Sequence, residues 1–290
     1  MAAVWPYVTD ADAIGTEMHL MVRVRCDTCD WECSAGAPGV SVSESSDESK
    51  VEMQPDLGRR LTAEVFSTFC LVFGGPGAAV IAKAVGSGYG IGGIATASGL
   101  AVAVMIFCVG HISGAHMNPA VTIAFAAGRH FPVRDVVPYC IAQLVGAVLA
   151  SVALRGVFGA SLDAAVTHPH FVGQISALWL EIGLTAVLMT VVLAVATDTR
   201  AVGALAAVAI GAVVIINVLI LGPVTGASMN PARSFGPALV AGDWRNFWIY
   251  VVGPIVGALV AVGLYGYLRG GASARPSGLD DAVPHPDAMP

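Results

Sequence analysis

Between residues 57 and 268 the chain alternates long apolar runs with short polar breaks. The runs at 61–82, 91–109, 136–154, 175–197, 201–221 and 247–268 are long enough, at about 1.5 Å per helical residue, to cross a hydrocarbon core of about 30 Å. Six membrane-spanning helices are predicted. Two further apolar pieces, 120–127 and 231–240, follow the second and fifth runs and are too short to cross. Residues 1–56 and 269–290 lack any sustained periodicity and read as disordered tails, the first of them acidic.

The short pieces belong to an internal repeat. Residues 110–122 and 222–234 align without gaps over thirteen positions and share seven identities, among them Asn118-Pro119-Ala120 and Asn230-Pro231-Ala232. Each half therefore reads span, span, re-entrant piece, span, with repeat one at 57–155 and repeat two at 172–268. Three spans per repeat is an odd number, so the second copy enters the membrane from the opposite face, giving inverted repeats. Six spans put both termini on one side. That side receives Arg59, Arg60, Arg129, Arg134, Arg200, Arg269 and Arg275, against Lys83, Arg155, Arg245 and Arg233 on the other. The excess predicts cytoplasmic termini.

Asn followed by Pro is a strong helix start, because Asn caps a helix well and Pro is favoured at the first helical position. Asn118 and Asn230 are each predicted to open a half-helix. Irregular backbone at membrane depth is tolerated only when buried in protein or lining a water-filled cavity. Two half-helices entering from opposite faces meet at their N-termini, each with roughly half a positive charge. That geometry admits a neutral solute to the Asn amides and repels cations.

Composition agrees with a membrane protein: 56% of residues are hydrophobic and 12% charged. Of the 20 acidic residues, 11 lie in positions 1–56, while 57–268 carries 9 bases against 6 acids. No basic footprint for nucleic acid is present. Cys26, Cys29 and Cys33, with His19, lack the paired spacing usual for zinc, so neither a metal nor another cofactor is expected. Cys70, Cys108 and Cys140 lie in separate apolar runs and read as packing residues. Glu64 and Glu181 are the lone carboxylates of spans one and four. They are expected to accept hydrogen bonds from the re-entrant loops and hold them in place. His111 and His116 flank the first box and read as hydrogen-bonded scaffold. Gly146-Ala147 and Gly257-Ala258 are expected to let helices approach closely. Arg233, one helical turn past Asn230, is a charge inside the membrane and hence a candidate functional residue.

With both Asn-Pro-Ala boxes in matching flanks, the region from Leu57 to Leu268 resembles the major intrinsic protein family, the aquaporins and glycerol channels. Gly222-Pro-Val-Thr-Gly-Ala-Ser-Met-Asn-Pro-Ala-Arg-Ser and Arg129-His-Phe-Pro look most like its plant nodulin-26-like branch. The resemblance implies an all-α, aquaporin-like fold of six transmembrane helices plus two re-entrant half-helices, with one pore per subunit. It also implies a homotetramer in the lipid bilayer, in the plasma membrane. Carried over by position, the family's constriction falls on Ser98, Val218, Ala227 and Arg233. The first two are small here, which implies a wider, partly apolar neck. Boric acid and related neutral metalloid acids, with glycerol, urea and water, are the solutes implied. Ser234 stands where glycerol facilitators carry an acid, which argues against a dedicated glycerol channel. No nucleophile, metal cluster or phosphate loop points to an enzyme. A proton- or ion-coupled secondary transporter shares inverted repeats and broken helices, but neither thirteen-residue stretch holds a coupling carboxylate. An adhesive junction protein with a closed pore would need blocking residues at the constriction, and Ser98, Val218 and Ala227 do not block.

Overall fold

A computed structural model describes residues 55–86, 90–197 and 205–270. The tails read from the sequence, with Cys26, Cys29 and Cys33, lie outside these residues apart from positions 55, 56, 269 and 270. The described residues form helices α1 (Leu57–Val85), α2 (Gly90–Ser113), α3 (Pro119–Ala127), α4 (Val133–Phe158), α5 (Gln174–Thr197), α6 (Ala206–Thr225), α7 (Pro231–Ala241) and α8 (Ile249–Arg269). A short 3-10 helix, Gly159–Ala165, follows α4. Six of the eight are long and apolar enough to span a membrane. The other two, α3 and α7, have nine and eleven residues.

Several helices extend beyond the apolar runs, because backbone hydrogen bonding continues where hydropathy stops, whereas α8 begins at Ile249, two residues inside its run. Asp56, at the end of the sequence-predicted tail, caps α1 by accepting from the Arg59 amide at 2.9 Å. α2 runs on through His111 to Ser113, and α4 begins three residues before its apolar run, at Val133. The predicted start of span five at residue 201 falls outside the described residues, and the helix is described from Ala206.

Packing follows the repeat. α1 lies against α2 and α4, and α5 lies in the corresponding way against α6 and α8. The repeats meet through α2 and α6, and each half-helix touches both α4 and α8. The crossings are closed by glycines. A Cβ at Gly146 would run into the Val65 carbonyl oxygen of α1, and one at Gly257 into the Ile182 carbonyl oxygen of α5. Gly99 and Gly211 face each other's carbonyls in the same manner between α2 and α6. Backbones at this distance gain dispersion contacts and displace no side chain, which suits association in lipid. Gly257→Ala should therefore cost about 2–3 kcal/mol of overpacking. Thermal unfolding of the purified protein in detergent would read this, and an unchanged midpoint would show that the crossing can relax.

Large apolar side chains such as Phe66, Phe107, Leu149, Trp179 and Ile220 lie exposed on the outside of the bundle. The buried interior instead holds Glu64, Gln143, Glu181, Asn118 and Asn230. Cys70 and Cys140 are half-buried, while Cys108 is exposed rather than packed inside.

Candidate functional site

Each box begins with a strained turn. Gly114, Ala115 and Met117 have positive φ, as do Gly226, Ala227 and Met229. For the four non-glycine residues this left-handed backbone costs of order 1 kcal/mol each, and it persists only where the surroundings impose it. Here a buried carboxylate faces each turn. Glu64 Oε1 accepts from the Ser113 hydroxyl (2.7 Å) and the His116 amide (2.9 Å), and Oε2 from the Met117 amide (2.8 Å) and Gln143 Nε2 (2.8 Å). Glu181 Oε1 accepts from the Thr225 hydroxyl (2.7 Å) and the Ser228 amide (3.0 Å), and Oε2 from the Met229 amide (2.9 Å). The repeat thus extends to single hydrogen bonds.

Beyond the turns, Asn118 and Asn230 cap α3 and α7. Asn118 Oδ1 accepts from the Ala120 amide at 2.9 Å, and Asn230 Oδ1 from the Ala232 amide at 2.9 Å and the Arg233 amide at 3.3 Å. Pro119 and Pro231 occupy the first helical position, where a missing N–H costs nothing. Asn118 Nδ2 donates to the Met229 carbonyl, and Asn230 Nδ2 to the Met117 carbonyl, both at 2.8 Å. The two boxes therefore pin one another. Each carboxamide has used its oxygen and one N–H, and its second N–H has no protein partner among the described residues.

Both asparagines line a cavity of about 250 Å³ that also takes in Ser98, Val218, Ala227 and Arg233. All four positions carried over as a constriction border the same space. Arg233 is held by the Ala165 carbonyl, which accepts from Nη1 at 2.7 Å. Glu64 and Glu181 do not line the cavity. His116 borders it while its Nδ1 lies 3.1 Å from the Thr122 hydroxyl and its ring packs against Phe125, Phe131 and Tyr139. His111 is exposed at the end of α2.

Several residues at the site were not singled out from the sequence. Ser113 and Thr225 hold equivalent places in the two stretches, but as Ser against Thr they do not count as an identity. Each hydroxyl accepts from the amide two residues on and donates to a carboxylate. Tyr139 donates to the Ser113 carbonyl at 3.0 Å and Tyr250 to the Thr225 carbonyl at 2.7 Å. Tyr250 lies one residue short of the repeat's 112-residue spacing from Tyr139, so only an alignment with a gap would have exposed this pair. The connection after α4, read as a plain loop, folds over one mouth and contributes Ala164, Val166, His168 and His170 to the cavity lining.

The model of the family described as "Major intrinsic protein" matches residues 52–265. The chain belongs to that family. As a major intrinsic protein it is a multi-pass membrane channel for water and small neutral solutes, and not an enzyme. Similar major intrinsic proteins include Aquaporin NIP1-1 of Oryza sativa subsp. japonica, 48% identical over 73% of this chain and 74% of that one. Aquaporin NIP6-1 of Arabidopsis thaliana is also 48% identical, over 72% and 68%. Among solved structures, the X-ray structure of the aquaglyceroporin from Plasmodium falciparum matches with a TM-score of 0.69 at 25% identity. It covers 74% of this chain and 98% of that one.

Proposed function

We propose that this channel conducts, besides water, small uncharged hydroxylated solutes, with boric acid and related neutral metalloid acids first among them and glycerol as a further candidate; urea, whose amide groups likewise donate and accept, is another. The observation that supports the solute class is the division of donors and acceptors around the cavity. Arg233 and the two Asn amides can only donate to a passing solute. Ser98 Oγ, whose hydrogen goes to the Ile94 carbonyl at 2.8 Å, is left to accept. Val218 and Ala227 supply apolar wall, and no Phe, Tyr or Trp lines the cavity among the described residues. A solute whose hydroxyls both donate and accept satisfies both kinds of group. A cation meets Arg233 and two helix N-termini, and is repelled.

In this reading Ser98, Val218, Ala227 and Arg233 form the constriction, and Asn118 and Asn230 the midplane contacts. Glu64 and Glu181 hold the loops that present them. The channel acts as a homotetramer of separate pores in the plasma membrane, with both termini cytoplasmic; the family resemblance supports the tetramer and the arginine distribution the orientation. Native mass spectrometry should give four copies per particle.

Stopped-flow measurements on proteoliposomes test the transport reading. Water and boric acid should equilibrate faster than in protein-free vesicles, with no accumulation when a proton gradient is imposed. Gradient-driven accumulation would establish a coupled transporter instead, and boric acid entry at the protein-free rate would remove the metalloid acids from the proposed solutes.

A further inference from the structure

The channel mouth built by the connection after α4 carries a polar group for which the proposed mechanism has no role. His168 lines the cavity, its side chain is 19% exposed, and its Nε2 lies 3.0 Å from Asp243 Oδ2. Its position is fixed on both sides. Thr167 Oγ1 donates to Ser234 Oγ on α7 at 2.9 Å, and the His170 amide donates to the Val224 carbonyl at 2.7 Å.

Asp243 is fixed as well. It follows the left-handed Gly242 that ends α7, and its amide donates to the Ala238 carbonyl at 3.0 Å. Arg245 grips its carboxylate, with Nε on Oδ1 at 3.0 Å and Nη2 on Oδ2 at 2.7 Å, while the Arg245 amide adds a bond to Oδ1 at 3.1 Å. These bonds, led by those from the Arg245 side chain, hold the Asp243 carboxyl well below the usual carboxylate range. An ionised carboxylate only accepts, so the proton between the two residues sits on His168 Nε2. In its neutral form, the one that can accept, the imidazole carries that single N–H. Nδ1 is then a bare acceptor, and no group among the described residues bonds it.

We infer that His168 is a further specificity-determining residue of the pore, a hydrogen-bond acceptor at the mouth whose tautomer is set by Asp243 and Arg245. The inference rests on the reading of the pore as a path for hydroxylated neutral solutes. The cationic Arg233 in the same cavity can only donate. A solute with O–H groups donates to His168 Nδ1 and accepts from Arg233, so it is matched on two sides, whereas a solute without donors is matched on one. Asp243 acts only through the imidazole and is a positioning residue.

The experiment compares boric acid and water permeability of the full-length channel in proteoliposomes, together with the ¹⁵N signals of His168 in labelled protein. In His168→Phe the ratio of boric acid to water permeability should fall roughly fivefold, the size of one neutral hydrogen bond. His168→Asn, whose carbonyl oxygen falls near the place of Nδ1, should restore much of it. In Asp243→Asn, Arg245 retains the carbonyl oxygen and the amide N–H₂ turns to the imidazole. The proton then moves to Nδ1, the ratio falls, and the Nδ1 signal shifts to that of a protonated nitrogen. An unchanged ratio in His168→Phe, or a protonated Nδ1 in the wild type, would overturn the inference. If wild-type vesicles admit boric acid no faster than empty ones, the metalloid acids drop out of the proposed solutes. The His168 inference is then decided by the glycerol-to-water ratio in the same variants and by the Nδ1 signal.

Discussion

Replacing Glu64 by alanine should cost about 4 kcal/mol or more and abolish transport, with Glu181→Ala close behind. Glu64 is fully buried and accepts four hydrogen bonds, two of them from backbone amides at the strained turn before the first box. Each buried donor left without a partner costs of order 1–3 kcal/mol. The left-handed Ala115 and Met117 add strain that nothing else would oppose. Glutamine is not a safe substitute. One backbone amide points at each carboxylate oxygen, so a side chain with one oxygen and one NH₂ must turn a donor toward a donor whichever way it lies. The same holds at Glu181, where the Ser228 and Met229 amides divide between the two oxygens. Glu64→Gln should therefore lose about 2 kcal/mol, between wild type and alanine. Thermal unfolding in detergent and water flux in vesicles read both effects. Wild-type behaviour in the glutamine variants would mean that the turns hold their shape unaided.

The architecture was legible because lipid imposes a coarse code. Every span must be a helix with its backbone satisfied internally, so a run of about twenty apolar residues has one reading. The inverted repeat was legible because two copies of Asn-Pro-Ala sit in equivalent flanks. Helix ends were less so: α1 starts four residues before its apolar run, at Leu57, and α2 continues four residues past Val109 to Ser113. Hydropathy marks where lipid ends, while hydrogen bonding marks where the helix ends.

Groups that act through tertiary contact escaped the sequence reading. Nothing local in Asn118 or Asn230 announces that each amide donates to the other repeat's methionine carbonyl. From the sequence Arg60 is one of the bases counted on the side of the termini. In the structure it is buried, paired with Asp135 at 3.0 Å, and donates to Tyr139 at 2.8 Å, which in turn bonds the first turn's Ser113 carbonyl. These partners are 75 and 79 residues away, beyond any periodicity. His168 was hidden for the same reason, since its partner Asp243 lies in the other loop of that mouth.

Ser98→Trp should reduce boric acid and glycerol permeability more than tenfold while the protein still folds. Ser98 stands on α2 at the cavity wall, with its hydroxyl turned back to the Ile94 carbonyl. Behind it there is no room: a Cβ at Gly75 of α1 would lie only 3.0 Å from Ser98 Oγ and 3.2 Å from its Cα. An indole at this position must project into the cavity, where it meets open space and not packed core. The cost therefore falls on the solute and not on the fold. A tenfold loss corresponds to about 1.4 kcal/mol of added barrier, which a bulky aromatic in a space of about 250 Å³ readily supplies by steric exclusion. Water, being smaller than either solute, should fall less, so the ratio of solute to water flux is the informative reading. Ser98→Ala removes the acceptor without adding volume and should change the ratio only a fewfold. Tenfold loss in the alanine variant would make the accepting oxygen of Ser98 outweigh its volume, and uptake unchanged in the tryptophan variant would place the constriction elsewhere along the pore.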